Sequence, residues 1–195
     1  MACLCSKCTN RNCPKKKNLA KRVLGKKNRN TGRYTEHKLL KLFQDWNIEL
    51  KQTVASGQLK SVADRVNENK ELFVSDFYSK ELLKGKIIRI ENKKRQFSTV
   101  KKYYNATNEH TLYIKDFCYI VTQKVFKDIL DKNYDYEIVQ TEDKGHKQLH
   151  NFFKQDNAEI VSLIAPNENG NRYKDFLFCI KKDIFEELTG GIKHD

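Results

Sequence analysis

Two stretches decide the fold: Leu72-Phe73-Val74-Ser75-Asp76-Phe77-Tyr78 and, after the turn at Gly85, Lys86-Ile87-Ile88-Arg89-Ile90-Glu91-Asn92-Lys93. Apolar side chains alternate in both, which is the period of a strand with one face on a core. A glycine break between two such runs predicts an antiparallel hairpin, with the second strand over residues 86–92. Residues two apart on a strand share a face, so Glu91 and Lys93 project together while Asn92 points away and lends its carbonyl to their surroundings. Asp76 falls on the neighbouring strand.

Two carboxylates in that arrangement can hold Mg²⁺ or Mn²⁺ through oxygen ligands. A lysine beside them can position or deprotonate a water, or stabilise charge building on a phosphate. That is the minimum set of groups for phosphodiester hydrolysis. Each piece alone is a weak signal, because an E-x-K triplet is common in a basic chain and an aspartate on a strand is usually a surface residue. Asp64, in Val62-Ala63-Asp64, competes with Asp76 for its role; Asp76 is preferred because it lies in an alternating apolar run one hairpin away from Glu91.

Working outward, Leu39, Leu42, Phe43 and Trp46 recur at three- and four-residue spacing, predicting an amphipathic helix over residues 33–46 with Glu36 in its first turns. A strand is expected over 48–55, ended by Ser56-Gly57, where a hydroxyl or bare backbone can approach a phosphate closely. Residues 58–71 read as a polar excursion. Downstream come a strand or hairpin over 113–121, a helix carrying Val125, Phe126, Ile129 and Leu130, a polar stretch, a helix over 147–154, and a strand over 159–165. A turn at 167–171, a strand over 173–181 and a short helix over 184–188 close the chain. Strands and helices alternate, so the expected class is α/β.

The ordered set is more specific than its parts. Glu36 on a helix, Ser56-Gly57 at a strand end, Asp76 on a strand and Glu91-x-Lys93 on the next, then the helix Lys147-Gln148-Leu149-His150-Asn151-Phe152-Phe153-Lys154 and the strand Ala158-Glu159-Ile160-Val161-Ser162-Leu163-Ile164, resemble the archaeal-type Holliday junction resolvases of the PD-(D/E)xK nuclease superfamily. The resemblance spans residues 32–181. It implies a restriction-endonuclease-like core, a central mixed sheet flanked by helices. Glu36, Asp76 and Glu91 would be metal ligands, Lys93 the catalytic lysine and Ser56 a group near the scissile phosphate. It also implies a homodimer that cuts a four-way junction symmetrically. The chain departs from that pattern in the long excursion between Ser56 and Asp76, in additional strand and helix over 97–145, and in its N-terminal arm. Plain duplex cleavage by a repair or restriction-like nuclease, and catalytically silent DNA binding, are the competing readings.

The charge agrees with a polyanionic partner. The 195 residues carry a net +13, and residues 1–33 hold eleven Lys and Arg and no acid. Neutralising phosphates with such cations supplies most non-specific affinity for nucleic acid; the bland alternative is a solvated tail. Candidate DNA contacts are Lys15, Lys16, Lys17, Lys26, Lys27, Arg29 and Arg33 near the start, and Lys94, Arg95 and Gln96 just past the catalytic strand. Tyr103, Tyr104 and Tyr113 read as packing residues rather than stacking platforms.

Residues 1–28 form a Cys-rich basic arm ahead of a nuclease domain over 29–195. Cys3, Cys5, Cys8 and Cys13 supply four thiolates, enough for a structural Zn²⁺, although only Cys5 and Cys8 have ordinary C-x-x-C spacing; reduced, unliganded cysteines are the alternative. The pair His146 and His150 lacks further ligands for a metal. No Gly-rich phosphate loop is present, which argues against ATP use. The longest apolar runs fall well short of the roughly 20 residues of a membrane span, and the first residues do not read as a secretory leader, so an intracellular protein is expected.

Overall fold

The structure, a computed structural model, describes residues 14–53, 75–108, 110–141, 147–155, 157–170 and 172–190. Helix α1 (Pro14–Asp45) leads into strands β1 (Lys51–Gln52), β2 (Phe77–Leu83) and β3 (Lys86–Lys94) and helix α2 (Phe97–Ala106). Strands β4 (Thr111–Ile114) and β5 (Cys118–Thr122), helix α3 (Gln123–Leu130) and strand β6 (Ile138–Thr141) follow. Helix α4 (Lys147–Gln155), strands β7 (Ile160–Ile164) and β8 (Leu177–Lys181) and helix α5 (Lys182–Thr189) complete the chain. No described helix is long and apolar enough to cross a membrane.

Among the described residues, eight strands join one mixed sheet in the order β1-β2-β3-β7-β8-β5-β4-β6. Its parallel pairs are β3 with β7 and β4 with β6. Both faces are covered. On one, Leu39 and Phe43 of α1, Val125 and Phe126 of α3 and Phe185 of α5 pack on Ile88, Ile90, Ile160, Ile164, Phe178 and Ile180. On the other, Val100 and Tyr103 of α2 and Leu149 and Phe153 of α4 pack on Val161, Leu163, Leu177 and Cys179. A strand buried on both faces has no polar side to show, which is why β7 reads Ile-Val-Ser-Leu-Ile with every residue buried. The α/β class and the mixed, helix-flanked sheet agree with the sequence expectation.

Several boundaries differ from it. The first helix begins at Pro14 rather than residue 33. At about 1.5 Å per residue it is a long rod; among its described side chains the buried apolar ones, Leu39 and Phe43, lie in the last turns, while Val23 and Leu24 are exposed. The strand expected over 72–78 begins at Phe77 and runs on to Leu83, turning through Lys84 and Gly85 into β3. Gly85 takes φ 77°, a conformation that strains any residue with a Cβ. Of the strand expected over 48–55 only Lys51–Gln52 pairs among the described residues, and the strand expected from 173 pairs regularly only from Leu177. Within 97–145, α2 and β6 went unplaced by the sequence reading. Phe97, Val100, Tyr103 and Tyr104 do carry a three-and-four spacing, but Gln96 supplies no side-chain cap to mark the start.

Candidate active site

The hairpin register creates the site. Phe77 pairs with Ile90, and one step further on β2 has ended while β3 continues to Lys94 beside β7. The ladder positions left open by β2 are taken by side chains. The Asn92 N–H donates to Asp76 Oδ2 at 3.0 Å, and the Asp76 N–H donates to Glu91 Oε2 at 3.1 Å. Lys93 Nζ makes an ion pair with Glu91 Oε1. The Asp76 backbone is held from the opposite side as well: the Thr53 N–H donates to its carbonyl at 3.0 Å. Asp76, Glu91 and Lys93, expected together, do meet.

Glu91 is 5% exposed. A carboxylate at that depth is costly unless it is paired and hydrogen-bonded, and Lys93 with the Asp76 N–H meets that need. Lys93 is placed in turn by an aromatic ring from α4: its ammonium lies 5.4 Å from the centre of Phe152, which carries the Arg95 guanidinium at 4.3 Å. Arg95, expected to contact DNA, is partly buried on that ring, with Nη1 donating to the Lys94 carbonyl. Burial lowers its pKa below the ordinary arginine range. Gln96 sits exposed at the N-terminus of α2, and Lys94 is exposed beside the ring of Tyr173.

Glu36 approaches from α1 and accepts a hydrogen bond from Gln52 Nε2 at 3.3 Å. Its carboxyl is pushed above the ordinary carboxylate range, first by desolvation and then by the charge of Asp76, with Arg33 opposing. A site that crowds carboxylates until one resists ionising is a site where an added cation would relieve repulsion. Among the described residues, however, no group of three or more His, Cys, Asp and Glu side chains is placed to hold a metal ion. The expected triad of Glu36, Asp76 and Glu91 is therefore a coupled pair, Asp76 with Glu91, and a neighbour on α1. Two hard oxygen donors still fit Mg²⁺, which keeps several waters and takes one or two carboxylates along with substrate phosphate oxygens.

The raised Glu36 pKa has a stability consequence with a definite sign. A carboxyl whose folded pKa lies above its unfolded value favours folding while protonated, and that contribution is lost as pH rises from the ordinary carboxylate range through the raised value. Glu36→Gln is therefore expected to melt higher than the parent at pH 7 without divalent cation, with the gap closing below the ordinary carboxylate range. Thermal melts at pH 3.5 and pH 7 measure this; equal gaps at both would remove Glu36 from the cluster.

A buried polar link sets the distance of α1 from β3. Asn92, on the opposite face of β3 from Glu91 and Lys93, donates from Nδ2 to Thr35 Oγ1 at 3.2 Å and accepts from Ser162 Oγ at 3.1 Å. Thr35 and Ser162 are essentially inaccessible to solvent, and without Asn92 Thr35 Oγ1 keeps its bond to the Gly32 carbonyl and Ser162 Oγ a long one to the Glu91 carbonyl, so Asn92→Ala costs about 0.5–1.5 kcal/mol for each bond lost. We expect chemical denaturation to register that loss. Thr35, Gln52, Thr53, Phe152 and Ser162 carry no signal in the sequence that marks them as site residues.

Ser56 and Asp64 lie outside the described residues, as do Cys3, Cys5, Cys8, Cys13 and His146. Lys15, Lys16, Lys17, Lys26, Lys27 and Arg29 fall on the backbone of α1, their side chains outside what is described; Arg33 is exposed one turn before Glu36. Tyr103 and Tyr113 are core residues, as expected, and His150 stacks on Phe117. No protein-family model matches this sequence, and no curated protein matches it.

Proposed function

We propose that the protein is a Mg²⁺- or Mn²⁺-dependent endodeoxyribonuclease with a restriction-endonuclease-like core, and that its substrate is branched DNA, a four-way junction in the first instance. The observation that carries the chemistry is the interlocked set of Asp76, Glu91 and Lys93 at the point where β3 outruns β2. The element order supports the core: α1 bearing Glu36, the β2–β3 hairpin, then α4 leading to β7, which lies parallel to β3.

In this reading Asp76 and Glu91 would hold the cation, with Glu36 as the neighbouring carboxylate on α1. The bound ion would supply Lewis-acid polarisation of the phosphate and a more acidic water. The Lys93 ammonium, paired with Glu91, would orient the attacking water or meet the developing charge on the phosphate. Lys94 and Arg33 offer positive charge along the flanking backbone. Symmetric cutting needs two such centres, so the active species is proposed to be a homodimer. Cys3, Cys5, Cys8 and Cys13 are proposed to hold one structural Zn²⁺ that presents the basic start of α1 to DNA.

Incubating the protein with a four-way junction and with a linear duplex of matched sequence, with Mg²⁺ or with EDTA, tests the whole assignment. Paired nicks in the junction that require the metal are the expected result. Equal cutting of the duplex would move the protein to the repair or restriction-like class, and binding without cutting to the silent class. Cutting in EDTA would overturn the metal-dependent chemistry.

A further inference from the structure

Next to the candidate active site lies a cleft of about 540 Å³. It opens at the edge of the sheet where β3, β7 and β5 end and β8 begins, because β7 parallels β3 and β8 runs antiparallel to both β7 and β5. Crevices outside the carboxyl ends of strands are where α/β sheets take ligands, and the volume falls in the range of small-molecule sites. The lining is aromatic, amide and cationic: Tyr104, Tyr136 and Tyr173, with Asn167, Lys124 and Lys174. The first turn of α3 forms part of the wall, and Thr122 caps its Val125 N–H.

Three features of this lining suit a nucleotide. Lys174 already rests over aromatic faces, 4.2 Å from the centre of Phe97 and 5.4 Å from that of Tyr104, so the cleft combines π surfaces with positive charge. Tyr136 is fixed by its hydroxyl to Asp128 Oδ2 and Tyr104 by its hydroxyl to the Asp175 carbonyl at 2.8 Å, so the rings are held before any ligand arrives. The cleft is also continuous with the catalytic strand, since Tyr173 lies under Lys94 at 5.5 Å and against Tyr34 of α1 at the same separation. Of the lining residues Asp175 is acidic and exposed, and Asp128 lies behind Tyr136 on its hydroxyl; Lys124 and Lys174 bring the positive charge.

We infer that this cleft binds an unpaired nucleotide of the strand that passes through the active site, stacking its base on the tyrosines and placing its phosphate near Lys124 and Lys174. The inference rests on the nuclease reading for its ligand, DNA, and for the active site through which the strand passes. Aromatic platforms flanked by cations are the general means of holding single strands without reading sequence. A fully paired duplex keeps its bases stacked inside and cannot fill the cleft, so the nucleotide comes from an open or distorted position near a branch point.

The test uses the full chain, Ca²⁺ in place of Mg²⁺, and an eight-nucleotide single strand carrying one 2-aminopurine. Binding is read by anisotropy and stacking by quenching of the 2-aminopurine. The parent protein is expected to bind the single strand and quench it. Tyr136→Ala and Lys124→Ala should each weaken that binding about tenfold, with quenching lost in the first, while Tyr136→Phe keeps the ring and the quench. Affinity for a blunt duplex of equal length and the melting temperature should be unchanged in Lys124→Ala. A parent protein that binds the single strand without quenching, or variants that weaken duplex and single strand alike, would overturn the inference. The parent's own cleavage separates the inference from the nuclease reading: quenching by a parent protein that cuts no DNA in Mg²⁺ or Mn²⁺ leaves the cleft standing and the chemistry refuted, and cleavage by a parent that does not quench does the reverse.

Discussion

Lys93→Ala is expected to reduce metal-dependent cleavage by on the order of 10²–10⁴-fold, the range for losing a positioned proton-transfer or charge-stabilising group. DNA affinity should stay within about twofold, because one ammonium among many phosphate contacts contributes little to the total. Asp76→Asn and Glu91→Gln belong to the same unit and should be as damaging singly as together, as residues that act in concert are not additive. Single-turnover cleavage of the preferred substrate, with binding measured in Ca²⁺, separates the two quantities. Lys93→Arg is a useful companion: it keeps the charge but replaces a compact ammonium with a planar fork, so recovery of most activity would assign Lys93 to charge stabilisation rather than proton transfer. If Asp64→Asn abolishes cleavage while Asp76→Asn is mild, the second carboxylate has been misassigned.

The largest stability effect is expected on the same strand, two residues before Glu91. Arg89 and Glu159 form a bidentate pair, Nη2 to Oε1 at 2.7 Å and Nε to Oε2 at 3.1 Å, and the Arg89 N–H also donates to Oε2 at 2.7 Å. Their side chains are 14% and 11% exposed. Glu159→Ala would take the bidentate carboxylate from a guanidinium that is nearly buried, at a cost of about 3–5 kcal/mol. For a chain of this size each kcal/mol lowers the melting temperature by roughly 2–4 °C, so calorimetry should record a large drop. Replacing both partners, Arg89→Met with Glu159→Leu, should restore most of it, since removing a whole buried pair is far less harmful than halving one. A drop of equal size in the double variant would show that the loss comes from packing and not from the stranded charge. Because the pair locks the start of β3 to β7 just before Glu91, the single variant should also lose cleavage at temperatures where it is still folded.

Local chemistry determined a good deal here. Alternation in Ile88-Arg89-Ile90 dictates a strand whose other face carries Glu91 and Lys93, and Gly85 dictates where that strand turns back. Unbroken apolar runs dictate the doubly covered strands, and the Leu39–Phe43 stripe dictates which end of α1 is anchored. These are short-range consequences of side-chain period and backbone sterics, and they are legible without knowing what lies across the sheet. Other features depend on partners far away in sequence. That Asp76 ends one residue short of pairing, so that its carboxylate and not its backbone meets Asn92, follows from where β2 and Thr53 sit in space. That Glu36 crowds Asp76 depends on the Asn92–Thr35–Ser162 link, three residues whose types occur anywhere on a protein surface. Phe152 under Lys93, Arg89 against Glu159 and the cleft beside Tyr173 likewise exist only because β7 inserts next to β3 after a long excursion. Residue type and spacing thus determined which groups could do the chemistry; the parallel pairing of β3 with β7 decided which neighbours hold them, because burial and like-charge repulsion are properties of the assembled site.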